Sequence, residues 1–169
     1  MHDRPSDMGA IRSATTILSA IGNTPLVRLQ NVVPSNSAQV LVKLEYFNPT
    51  GSYKDRMALS MIEEAEARGD LLPGMTVVEY TGGSTGSSLA FVCAVKGYQF
   101  KVVSSDAISQ EKLLTMRAFG ADLTVVPSEG GKINKDLMLR MIETAGKIAQ
   151  EGNAYQTNQL HNPDMIKSY

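Results

Sequence analysis

Two short stretches of this sequence carry residue types that could do chemistry, and each opens a helix. The first is Asn48-Pro49-Thr50-Gly51-Ser52-Tyr53-Lys54-Asp55-Arg56. Asn, Pro and Gly at the first, second and fourth places predict a type I turn. Ser52 with Asp55 three residues on resembles a capping box, with Asp for the usual Glu. Lys54 then falls in the first helical turn, where the macrodipole disfavours an ammonium by about 0.3–1 kcal/mol. A neutral amine is the form that attacks an aldehyde carbon, so Lys54 is a candidate nucleophile. The bland alternative is a surface lysine tolerated in a loop.

The second stretch is Tyr80-Thr81-Gly82-Gly83-Ser84-Thr85-Gly86-Ser87. Gly82 and Gly83 permit close backbone approach, and unpaired N–H groups at a helix start attract a carboxylate or phosphate. Ser84, Thr85 and Ser87 add hydroxyls. It is not a P-loop, because no Lys follows the second glycine, nor a dinucleotide fingerprint. A plain capped glycine turn is the alternative.

Alternating strands and helices must position these stretches. Val40–Glu45, Met75–Tyr80, Gln99–Ser104 and Leu123–Val126 read as strands. Asp55–Arg68, Thr85–Lys96, Ser109–Phe119 and Lys132–Gln150 read as helices. Met57, Ala58, Met61, Ile62 and Ala65 share one face of the first helix; Ile133, Leu137, Met141, Ala145 and Ile148 form a stripe on the last. Leu89–Val95 is apolar throughout and predicts a helix buried on most sides. The alternation implies an α/β fold, a parallel sheet with helices on both faces. Both chemical stretches are expected to follow neighbouring parallel strands and so to share one crevice.

The chain has 169 residues, 43% hydrophobic and 20% charged, with net charge −1. That balance describes a globular chain and gives no electrostatic reason to expect nucleic acid or an anionic membrane as partner. No apolar run approaches a membrane span, and residues 1–16 lack a signal peptide's apolar region. The single cysteine, Cys93, excludes an internal disulfide framework and reads as a core residue. His2 and His161 stand alone, so no metal site is expected. Glu63, Glu64, Glu66 and Arg68 read as a solvated face, as do Lys112 and Arg117. A cytoplasmic location is the default.

The two stretches resemble a known family: the pyridoxal-phosphate enzymes of the cysteine synthase and cystathionine β-synthase group, of fold type II. Ile21-Gly22-Asn23-Thr24-Pro25-Leu26-Val27-Arg28-Leu29 is similar to its N-terminal signature, and Asn48–Arg56 to its cofactor-lysine motif. Glu79–Ala90 is similar to its substrate-carboxylate loop, and Gln159-Leu160-His161-Asn162-Pro163 to a segment near the substrate. The resemblance is collinear from Ile17 to Tyr169. It implies a tryptophan synthase β-like fold and a homodimer acting on a small amino acid. It divides the chain into an arm (1–16), a first segment of a larger domain (17–39), a smaller α/β domain (40–150) and a return toward the larger domain (151–169).

It also implies chemistry. Lys54 would hold the aldehyde of pyridoxal phosphate as a Schiff base, then remove the α-proton of an activated serine before sulfide or a thiol replaces the β-substituent. Thr81, Gly82, Gly83, Ser84, Thr85 and Gln159 would bind the substrate carboxylate, with Ser84 also at the cofactor edge. Ser84 stands where the family usually has Asn, which trades two amide donors for one hydroxyl. Leu160 stands where cysteine synthases often have Phe. The family's second glycine-rich loop, for the cofactor phosphate, and its Ser, Thr or Cys at the pyridine nitrogen have no counterpart here. The chain therefore reads as the N-terminal half of such an enzyme, a fragment expected to be inactive alone. Cystathionine formation and serine or threonine deamination are the enzymatic rivals. A non-catalytic remnant or interaction module is the rival of another class.

Overall fold

The computed structural model describes residues 15–169, so the arm expected over 1–16 lies outside the described residues except for Thr15 and Thr16. The ordered elements are β1 (Leu26–Arg28), β2 (Leu41–Lys43), α1 (Lys54–Arg68), β3 (Thr76–Tyr80), α2 (Ser84–Lys96), β4 (Gln99–Ser105), α3 (Gln110–Ala118), β5 (Asp122–Val126), α4 (Lys135–Gln150) and β6 (Ala154–Gln156). Short 3-10 turns cover Ile17–Ala20, Glu45–Phe47 and Pro163–Ser168.

Four strands form a parallel sheet in the order β5-β4-β3-β6. Its central strands, β3 and β4, are buried on both faces, as parallel strands covered by helices must be. On one face Val77, Phe100 and Val102 pack with Met57, Met61 and Ile62 of α1, Leu89 and Val92 of α2, and Met116 of α3. On the other, Val78, Tyr80, Val103 and Val126 pack with Leu137, Met141 and Ala145 of α4. Helices on both faces of a parallel sheet were the sequence expectation, and that is the architecture.

Particulars differ. β2 does not join the parallel sheet; it pairs antiparallel with β1, Val27 opposite Val42, in a separate two-stranded sheet. The chain does not leave the parallel sheet at Gln150, because β6 returns to pair with β3, Val78 opposite Gln156. Helix α4 starts three residues later than its apolar pattern, since the Asn134 side chain accepts from Leu137 N at 2.8 Å and caps it there. Ile133 is consequently outside the helix and 60% exposed. Helix α2 is buried from Thr85 to Cys93 but exposes Val95 in its last turn.

Helix α1 has no capping box. Ser52 Oγ accepts from Lys54 N at 3.1 Å, but the Asp55 side chain turns inward to other partners. Nor is the acidic run on α1 merely solvated. Glu66 accepts from Lys96 Nζ at 2.7 Å and from Tyr98 OH at 2.8 Å, and Arg68 pairs with buried Asp164 at 2.7 Å. Cys93 is buried, and burial first, then the Glu66 charge, pushes its thiol up to about 12, as suits a core residue.

Candidate functional site

Lys54 is the first residue of α1 and is half-buried. Its Nζ lies 3.7 Å from Met57 Sδ and 4.8 Å from the Tyr53 ring centroid. The turn before it closes with Gly51 N donating to Asn48 O at 2.8 Å, as its sequence predicts. Asn48 is itself buried: its Oδ1 accepts from Gly22 N at 2.8 Å, and its Nδ2 donates to Glu45 O at 2.7 Å.

Arg56 sits two residues into α1, where the macrodipole disfavours a cation as it does Lys54. Its partner is Glu45, reached at 2.8 Å by Nε and 3.0 Å by Nη2. Thr24 Oγ1 donates to the same carboxylate at 2.6 Å. The Arg56 hydrogen bonds, more than those from Thr24 and Asn48, hold the Glu45 carboxyl down at about 2. The two N-terminal motifs are thus joined through one carboxylate. The only sequence signal for Glu45 is an otherwise unexplained arginine, Arg56, in a first helical turn.

Asp55 ties the lysine turn to the glycine turn. It is fully buried and accepts from Thr50 N at 2.8 Å, from Thr50 Oγ1, and from Ser88 Oγ at 2.6 Å. Ser88 lies one turn into α2 from Ser84, about 6 Å along the axis. Lys54 therefore reaches the neighbourhood of the α2 entrance through helix packing, not through adjacent strands as expected. Its Nζ makes no hydrogen bond to Thr81–Thr85 or Gln159 among the described residues.

The α2 entrance is open. Gly83 precedes the helix with no side-chain cap. Gly86 N donates to Gly83 O and Gly83 N to Thr81 Oγ1, leaving Ser84 and Thr85 N–H without intrahelical partners. Ser84 is exposed, Gly82 and Gly83 are half-buried, and Thr81 and Thr85 are buried. Two glycines here serve packing: a Cβ on Gly82 would stand 2.8 Å from Ile108 Cδ1, and one on Gly86 would stand 2.6 Å from Met116 Cε and 2.8 Å from Thr81 Cγ2. Gly83 differs. A Cβ there would meet only the Lys112 side chain, with Nζ at 3.5 Å and Cδ at 3.9 Å. The space left at Gly83 opens onto the helix entrance.

The strand order reverses between β3 and β6, and their C-terminal turns lie side by side, the usual place for a ligand in an α/β sheet. Gln159, half-buried in the turn after β6, donates from Nε2 to Tyr80 O at 3.3 Å, beside Thr81. Glu79, within β3, is fully buried and accepts from Tyr80 N, Thr157 Oγ1 and Gln159 N. Burial raises the Glu79 carboxyl above its ordinary range, against the pull of those three donors. The sequence signal for a role of Glu79 is an acid inside an apolar strand.

The site thus offers an amine, an open helix N-terminus and a polar side chain facing it, with glycine packing that shapes the approach. That set fits an aldehyde cofactor carrying an amino-acid substrate. Among the described residues there is no cluster of His, Cys, Asp and Glu that could hold a metal ion, and no helix long and apolar enough to cross a membrane.

Comparison with known proteins gives the same direction. Cysteine synthase B of Escherichia coli is 46% identical over 151 residues, covering 89% of this chain and 48% of that protein. A cysteine synthase of Staphylococcus aureus is 44% identical over 154 residues, 91% of this chain and 48% of that protein. Among solved structures, cysteine synthase from Entamoeba histolytica superposes with a TM-score of 0.84 at 36% identity, over 96% of this chain and 48% of that one. O-ureido-L-serine synthase does so with a TM-score of 0.82 at 40% identity, over 92% of this chain and 47% of that one. The chain spans about half the length of the relatives it matches. The sequence model of the family described as "Pyridoxal-phosphate dependent enzyme" matches residues 17–169, and with the fold in agreement the chain belongs to that family, as a cysteine synthase-like member.

Proposed function

We propose that this chain supplies the lysine and substrate-carboxylate half of a β-replacement site that makes cysteine, or a close analogue, from an activated serine. The observation that carries the reading is the bond from Ser88 to Asp55, which fixes the Lys54 turn beside the open entrance of α2. Lys54 would hold pyridoxal phosphate through its amine. When bound, the cofactor supplies an electron sink for the carbon that loses its proton.

The remaining work belongs to the chain's own residues. The N–H groups of Ser84 and Thr85 bind the substrate carboxylate with the helix dipole behind them. The Thr81 hydroxyl and the Gln159 amide orient it, and the bare backbone of Gly82 and Gly83 lets it approach. Lys54 Nζ, once released, accepts the α-proton and returns it. Ser84 meets the cofactor edge with a single hydroxyl.

The same reading covers assembly and compartment. Leu26, Val27, Leu41, Tyr46 and Phe47 are exposed apolar side chains, which supports further protein contacts and a homodimer. A lone, buried cysteine suits the cytoplasm. Of the proposed division into 17–39, 40–150 and 151–169 between larger and smaller domains, the last boundary is better placed after Gln156, since β6 pairs with β3.

The test is reduction with borohydride in the presence of pyridoxal phosphate, followed by peptide mapping. The pyridoxyl label is expected on Lys54. A label on Lys43 or Lys96 in its place refutes the assignment. Gly83→Val, which fills the space at the helix entrance, is expected to raise the amino-acid concentration needed to displace the lysine; an unchanged titration contradicts the carboxylate site.

A further inference from the structure

We propose that Glu79 is a positioning residue whose buried carboxylate fixes the turn after β6 to the turn after β3, so that Gln159 and the α2 entrance act as one substrate-carboxylate site. The inference rests on the proposed function for the word substrate; the geometry stands without it.

Glu79 is fully buried and has no cationic partner among the described residues, an arrangement that packing alone would not favour. Three donors converge on it. Oε1 accepts from Tyr80 N at 2.9 Å. Oε2 accepts from Thr157 Oγ1 at 2.6 Å and from Gln159 N at 2.9 Å. Each donor belongs to a backbone segment that leads into the site: Tyr80 precedes Thr81, and Thr157 and Gln159 bracket Asn158. Asn158 has a φ of 46°, the left-handed region that costs any residue with a Cβ, though Asn least. The carboxylate thus grips the strained residue from both sides.

The surroundings show why this grip is needed. The β3–β6 ladder ends with Thr157 N donating to Val78 O at 3.1 Å. Beyond it, Glu79 and the Gln159 side chain, donating to Tyr80 O, are the links from this turn back to β3. Asn162 ties the turn to itself and to β6, donating from Nδ2 to Thr157 O at 2.9 Å and to Tyr155 OH at 3.2 Å, and makes no link to β3. A carboxylate is the one side chain of this length that presents acceptors on both oxygens. A glutamine would turn an amide N–H₂ toward one of the donors.

Hydrogen–deuterium exchange of the 169-residue chain, read by peptide, tests the fixing role directly. Glu79→Gln is expected to speed exchange in residues 157–162 by about tenfold, the equivalent of about 1.4 kcal/mol of local opening, while peptides from Gln99–Ser105 stay unchanged. Thr157→Val, which removes one donor and leaves the backbone ladder, is expected to act in the same direction by a smaller factor, and it carries the test if Glu79→Gln does not fold. Unchanged exchange over 157–162, or equal acceleration across the whole sheet, overturns the inference. A second readout concerns the ligand: the L-serine concentration that protects Lys54 from pyridoxyl labelling should rise about tenfold in Glu79→Gln. Local opening without that rise overturns the link to substrate. A wild-type chain that L-serine never protects overturns the proposed function instead, and exchange still judges Glu79.

Discussion

Replacing Asp55 by alanine should unfasten the lysine turn from α2, and the structure gives the size of the effect. Three donors would lose their acceptor: Thr50 N, Thr50 Oγ1 and Ser88 Oγ. Hydrogen bonds to a charged group contribute about 1.5–3 kcal/mol each, so the gross loss is about 4.5–9 kcal/mol. Two terms offset it. Thr50 Oγ1 and Ser88 Oγ already stand 3.3 Å apart and can pair with each other, recovering about 1 kcal/mol. Alanine also removes a charge that burial had made costly. The net destabilisation should be about 3–5 kcal/mol, of the order of two buried neutral donors left unsatisfied at about 1–3 kcal/mol each. For a chain of this length that lowers the melting temperature by roughly 6–20 °C. Urea unfolding and calorimetry of Asp55→Ala, Ser88→Ala and the double variant supply the assay. Asp55 and Ser88 should couple by about 1–2 kcal/mol in that cycle. An Asp55→Ala variant within about 1 kcal/mol of wild type, or a coupling near zero, refutes the reasoning.

Two further outcomes follow from particular contacts. Gly86→Ala gains about 1 kcal/mol of helix propensity but meets Met116 and Thr81 too closely, at about 1–3 kcal/mol for overpacking, so it should be neutral to modestly destabilising. Combined with Met116→Ala it should be at least about 1 kcal/mol better than the sum of the two changes, and strict additivity in urea unfolding contradicts the clash. Glu45, held at about 2 in the folded chain against an ordinary 4.5, contributes stability above pH 4.5 that is lost as pH falls toward 2. The stability gap between wild type and Glu45→Gln should therefore close over that window, and a gap independent of pH removes the Arg56 pairing as its cause.

Much of the fold was legible because its signals are local. β3, β4 and β5 are β-branched runs between glycine stops, and α1 buries the stripe that its spacing predicts. β1 and β6 are three residues each, too short for periodicity, and β6 pairs with a strand 78 residues before it. β2 was read into the wrong sheet because a short apolar run carries no information about its partner. The site divides the same way. Lys54 and the Thr81–Thr85 turn announce themselves by residue type at helix entrances. The roles of Glu45, Asp55 and Glu79 are hidden because each depends in part on a donor far off in sequence: Thr24 for Glu45, Ser88 for Asp55, and Thr157 and Gln159 for Glu79.

The return of β6 to the side of β3 also sets an order of events. During synthesis Glu79 leaves the ribosome 80 residues ahead of Gln159. At about 5–20 residues per second, that is about 4–16 seconds before its last donor exists. In that interval β3 has one bare edge and a carboxylate facing it, and water rather than protein must satisfy both. Local pieces such as α1 and the β3–β4 pair can form early, since their contacts are close in sequence, whereas the β3–β6 closure carries a larger loop-entropy cost. The glycine turn thus waits for its partner turn, and a nascent chain paused before residue 154 would hold most of the buried core without the Gln159 side of the proposed site.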